Sequence, residues 1–303
     1  MLTKGAIGNL VNRYRAVLTK CNLINTFGSL AVASMLVLGG AGVAEADAIS
    51  IGKNESKTLE YTDISKDFSI VGQDGSILTI NGGINFNCRD LGISEIENIT
   101  QLNIDTGEIT KRPSIYINNN NSTDESISIN AKNINLTSHS GTSVVYIACG
   151  SNKAIDIGFD DNMHIAGRNA ITNHGKNSTI DIKGGEGSVL TTNVTHNGIW
   201  VAYSENSSTK IKADTVSLKT GYEVLIKVAS ENASVSVDAK NLELICSNDD
   251  SSVVNLGADA KGASVDIKSS EQSIINGDLI VNSKDSKVCL NITGQESEFT
   301  GKS

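Results

Sequence analysis

Two stretches of this 303-residue chain repeat one another at an offset of 26 residues. Ser204-Glu205-Asn206-Ser207-Ser208-Thr209-Lys210-Ile211-Lys212-Ala213-Asp214-Thr215-Val216-Ser217-Leu218 aligns with the run from Ser230-Glu231-Asn232 to Leu242-Glu243-Leu244. They share Ser-Glu-Asn, a central Ala and a closing apolar-x-Leu. The same pattern occurs earlier, from Ile127-Ser128-Ile129 to Ile134-Asn135-Leu136. A period in the twenties restricts the fold to stacked units, because no single unit of that length can bury its own apolar face.

Ile127, Ile155, Ile180, Thr209, Val235, Val265 and Val288 open equivalent units, spaced 28, 25, 29, 26, 30 and 23 residues apart. Each unit holds three short apolar segments. The first reads Ile-x-Ile or Val-x-Val, as in Ile155-Asp156-Ile157, and a period of two turns Ile inward and Asp outward. The second is Ile134-Asn135-Leu136, Val216-Ser217-Leu218 or Leu242-Glu243-Leu244. The third is more apolar, as in Val144 to Ala148 and Ile199-Trp200-Val201-Ala202. Only 4% of residues are aromatic and Pro113 is the single proline, a composition that favours strands joined by polar turns.

The expected fold is therefore all-β, a right-handed parallel β-helix with three strands in each coil of about 25–30 residues. An antiparallel sandwich would not need a recurring unit of this length, and the Leu-x-x-Leu-x-Leu spacing of leucine-rich solenoids is missing. The regular coils are expected over 122–303, with an N-terminal cap and irregular first coils over 47–121, where the repeat is hard to follow.

Residues 1–46 stand outside the repeat and read as a signal peptide. Lys4, Arg13, Arg15 and Lys20 form a basic segment without an acidic residue, followed by an apolar run over residues 27–43. Small residues at Ala44 and Ala46 place cleavage between Ala46 and Asp47, with Ala46-Asp47-Ala48 as the alternative site.

The leader, with Asn12-Arg13-Tyr14-Arg15-Ala16-Val17-Leu18 ahead of Phe27-Gly28-Ser29-Leu30-Ala31-Val32-Ala33-Ser34, resembles the extended signal peptides of bacterial type V autotransporters and related surface proteins. That resemblance implies a β-helical passenger exported by the secretion machinery. It also implies carriage across the outer membrane by a β-barrel. The sequence to Ser303 carries no series of long amphipathic strands of the barrel kind, so a separate translocator, or a fragment lacking its barrel, is the expectation.

No catalytic or metal-binding constellation emerges, and no cofactor is expected. Asp160-Asp161 and Asp249-Asp250 read as turn acids in units that are not neighbours. The outward Asp156, Asp181 and Asp266 are interrupted by Lys210 or Ser236, and His139, His164, His174 and His196 share no register position. A net charge of −9 argues against a nucleic-acid partner. Cys88, Cys149, Cys246 and Cys289 are expected as free thiols, with Cys149 and Cys246 as small core residues.

Tyr146, Trp200, Tyr203 and Tyr222 cluster in or near third segments in a chain poor in aromatics, and form the candidate ligand-binding strip. The function expected is that of an exported, adhesin-like rod without catalysis. It would sit at the cell surface, on the outer membrane or outside the cell, and bind a protein or carbohydrate of a host or neighbouring cell. The alternatives are a polysaccharide-cleaving β-helix enzyme and a purely structural stalk.

Overall fold

The computed structural model describes residues 47–301, apart from 65–67, 87–91, 108–112, 119–124, 140, 249–250 and 295. The leader read over residues 1–46, Cys88 and the Asp249-Asp250 pair lie outside the described residues. All regular structure among the described residues is β, from Asp47–Ser50 to Glu296–Thr300, and every pairing between strands is parallel. The chain winds as a parallel β-solenoid with three faces.

On the first face one inward column runs Ile49, Ile70, Ile96, Ile129, Ile157, Ile182, Ile211, Val237, Ile267, Leu290 in register. Beside it, Ile127, Ile155, Ile180, Thr209, Val235, Val265 and Val288 stack as the equivalent unit starts the sequence marked. The second face stacks Leu78, Leu102, Ile134, Met163, Leu190, Val216 and Leu242. The third stacks Ile84, Ile115, Val145, Ile171, Ile199, Ile226 and Val254. Away from the ends these side chains are almost wholly buried, and each such burial contributes about 1.5–3 kcal/mol. At the last rungs Val281, Leu290 and Phe299 are exposed.

The shared Asn, Ser and Ala of the repeat each have a structural cause. Asn206 and Asn232 stand at the corner before the first face, with φ of 56° and 54°, in a column with Asn152 and Asn177. Asparagine tolerates this left-handed conformation better than other residues with a Cβ. Its side chain also bonds to the neighbouring coil: Asn206 Nδ2 donates to Asn177 Oδ1 at 3.2 Å, and Asn177 Nδ2 to Asn152 Oδ1 at 3.4 Å. The serine two residues before is buried and tied in turn, since Ser204 N donates to Ser230 Oγ at 3.0 Å. The central Ala213 and Ala239 are buried and paired where the long strands Ser208–Thr220 and Ser234–Cys246 bend from the first face to the second.

The three columns also pass through residues 47–118. Asp47–Ser50 pairs with Phe68–Val71, Ser56–Ile64 with Ile77–Phe86, and Gly92–Asp105 with Glu125–Thr137. Register shifts between Glu60 and Thr62 and between Ile96 and Ile99 obscure the period there. The thiols split. Cys246 is buried, its thiol raised to about 11 by burial, whereas Cys149 is half-exposed rather than a core residue. A register shift on its partner strand between Ile117 and Asn118 carries Cys149 out of the inward alternation, and its thiol donates to Asn118 Oδ1 at 3.3 Å. Cys246 and the exposed Cys289 are free thiols.

Candidate functional site

Outward positions of a stacked strand form columns too, and the outer column of the third face is unlike the others. It runs Tyr116, Tyr146, Thr172, Trp200, Lys227, Asn255. Tyr116 and Tyr146 stack with ring centroids 5.4 Å apart. The small Thr172 leaves room for His174, two residues on. Its imidazole stands edge-on to Tyr146 at 5.4 Å, to Trp200 at 4.9 Å and to Tyr203 at 5.2 Å. Lys227 closes the row with its ammonium 5.6 Å from the Trp200 ring centre, a cation–π contact.

Burial sets the protonation of this row. The His174 imidazole is lowered to about 4, so the ring is neutral at physiological pH. Its Nδ1 lies 3.3 Å from the Tyr146 hydroxyl. Burial also raises the Tyr146 phenol, with Cys149 adding a smaller push. His174 Nε2 and Trp200 Nε1 are both buried without a hydrogen-bond partner.

A second column, three or four residues earlier on each coil, is polar: Ser143, Asn169, Asn197, Glu223. Asn169 Nδ2 donates to Ser143 Oγ at 3.2 Å, and Asn197 donates to Asn169 Oδ1 from its backbone at 3.1 Å and its side chain at 3.2 Å. Asn197 Nδ2 also donates to Glu223 Oε2 at 3.0 Å. Ser143 Oγ and Thr172 Oγ1 lie 2.6 Å apart and join this column to the aromatic one. Asn197 is only 3% exposed, yet its Oδ1 has no partner.

The two columns bound a groove of about 400 Å³ along the third face, with Tyr146, Thr172 and Trp200 on one side and Asn169, Asn197 and Glu223 on the other. Arg168 and Lys227 bring charge to its lining. Arg168 Nη1 donates to Gly141 O at 3.0 Å, which leaves most of its guanidinium donors unused. The groove thus offers ring surface along one wall and hydrogen-bonding groups along the other.

Of the residues singled out from sequence, Tyr146 and Trp200 line the groove directly. Tyr203 joins the row through His174, at a φ of 61° and 84% exposed, a strained backbone for a bulky residue. Tyr222 is 71% exposed on the turn before Glu223. Thr172, His174, Arg168, Asn169, Asn197, Glu223 and Lys227 were missed. The signal for Asn169, Asn197 and Glu223 is positional, a polar residue recurring at 143, 169, 197 and 223, just ahead of each third segment.

Elsewhere several of the charged side chains and histidines pair locally. Asp156 and Asp181 stack on adjacent rungs of the first face, where Asp181 pairs with Lys183 at 2.8 Å and burial, followed by Asp181, raises Asp156. Asp161 pairs with Lys132 at 3.5 Å. His139 meets Asp105 at 3.1 Å, His164 meets Thr191 at 2.9 Å, and His196 lies 4.0 Å from Glu223. Among the described residues no group of three or more His, Cys, Asp or Glu is placed to hold a metal ion.

Fold and groove together define a parallel β-solenoid that carries a half-aromatic, half-polar groove on one face. No family model, curated protein or solved structure matches the chain.

Proposed function

We propose that this chain is an exported, non-catalytic binding rod of the adhesin kind, a passenger resembling those of autotransporters. The solenoid would hold the third-face groove toward a ligand on a host or neighbouring cell. The observation that carries the reading is the groove itself, where an almost fully buried Asn197 and a buried indole N–H border the lining with unused hydrogen-bonding atoms. Buried polar atoms without partners are rare, and two of them stand together at this groove. Export is supported by the basic and apolar character of residues 1–46.

Attachment of the labelled chain to cells, compared with the Trp200→Ala, Asn197→Ala and exposed-site Tyr203→Ala variants, tests the binding role. At least a tenfold loss is expected from variants that still melt cooperatively. Unaltered attachment by all three would overturn the groove as the site, and release of products from a polysaccharide would overturn the non-catalytic part. Expression in a Gram-negative host, followed by N-terminal sequencing of the exported chain, tests export. The expected new terminus is Asp47, and an uncleaved cytoplasmic product would refute it.

A further inference from the structure

We infer that the groove takes an acidic oligosaccharide, a short chain of pyranose rings of which at least one carries a carboxylate. This rests on the groove being the binding site and goes further by naming the ligand's chemistry.

The two walls ask for an amphipathic ring. A pyranose shows apolar C–H faces and a rim of hydroxyls, each both donor and acceptor. Tyr146 and Trp200 supply the surface for the faces, while Asn169, Asn197 and Glu223 supply amide and carboxylate groups for the rim. Asn197 Oδ1 and Trp200 Nε1 add an acceptor and a donor that the protein leaves unsatisfied.

Length points to more than one ring. From the Tyr146 rung to the Lys227 rung the groove crosses three coil spacings, about 14 Å. A polar side chain recurs on every coil, so an extended sugar chain lying along the groove would meet a new partner with each successive ring.

Charge points to an acid. The chain carries a net −9, and Lys132, Lys176, Lys183, Lys219, Lys240 and Lys268 each lie within 3.5 Å of a carboxylate. Arg168 and Lys227, the two cations of the groove, have no carboxylate at ion-pair distance among the described residues. The one acid of the lining, Glu223, already accepts from Asn197. A guanidinium with free donors matches a carboxylate in shape and charge. A ligand carboxylate that drew Lys227 off the indole would change the surroundings of Trp200, which is the single tryptophan of the sequence.

Trp200 emission therefore reads the site directly. The full chain is titrated with hexagalacturonate, with the neutral 1→4-linked galactose hexamer, and with a sulfated hexamer free of carboxylates. A saturable change with the uronate is expected, with binding at least tenfold weaker for the other two. Arg168→Gln and Lys227→Gln, both at solvent-facing positions, should each weaken uronate binding about tenfold, a larger loss than either causes for the neutral hexamer. No saturable response to the uronate, or equal binding of the neutral or the sulfated hexamer, overturns the inference. Cell attachment that depends on Asn197 and Trp200 without uronate binding sinks the ligand class and leaves the binding rod standing. Uronate binding with attachment indifferent to those residues does the reverse.

Discussion

Thr209 occupies a place in the first-face column that its stacked neighbours Ile180 and Val235 fill with isoleucine and valine. Its hydroxyl is fully buried and unpartnered. Leaving a buried hydroxyl unsatisfied costs about 1–3 kcal/mol, so Thr209→Val is expected to stabilise the protein by about 1 kcal/mol, read as a higher denaturation midpoint at constant m-value. His174 gives a pH dependence. Its folded pKa of about 4 lies below the ordinary imidazole value of 6.5, so the unfolded chain binds the extra proton first. Stability is then complete above 6.5 and lost as the pH falls toward 4. His174→Gln should flatten the fall in melting temperature across that window. A scarce residue type made Tyr146 and Trp200 stand out in the sequence, whereas Asn169 and Asn197 are among the commonest of side chains here and gain meaning only from register.

Corners, rather than strands, give the repeat its most readable letters. Ser-Glu-Asn recurs because a left-handed turn must bring the chain from the third face to the first, and asparagine both tolerates that φ and bonds to the coil beside it. Asn206→Val, with a β-branched side chain at a φ of 56°, should therefore cost roughly 1–2 kcal/mol from the backbone alone, while Asn206→Gly changes little. Equilibrium denaturation of the pair separates the backbone contribution from the lost side-chain bond. Alternating Ile-x-Ile segments made the faces of the regular coils legible, although the first two segments of a unit often run on as one long strand, and every unit start read from sequence pairs with the next. Over 47–118 the same columns were hidden, because bulges and uneven loops break a period without breaking parallel pairing. The groove escaped notice for another reason. Its walls are two outward columns on one face, a juxtaposition made by stacking that no single coil contains.

Across the whole solenoid, each coil contacts its neighbours and little else, so stability should be close to a sum of coil and interface contributions. Removing Val235–Ser264, 30 residues, joins Ser234 to Val265, residues that follow one another in register because Val235 pairs with Val265. A shortened but cooperative β-solenoid is expected, with Trp200 emission retained, since the groove residues all lie earlier in the chain. Removing about half as many residues from the same point would turn inward positions outward and should abolish cooperative melting.

The uniform direction of the strands has one further consequence, and it is mechanical. When the two ends are pulled apart along the axis, the hydrogen bonds of a terminal coil are loaded one rung before those of the next. Tension should strip coils singly, each of 26 residues or so releasing about 90 Å of slack. A molecule extended this way yields in steps, and the coils between Tyr146 and Lys227, midway along it, stay folded while the outer turns pay out.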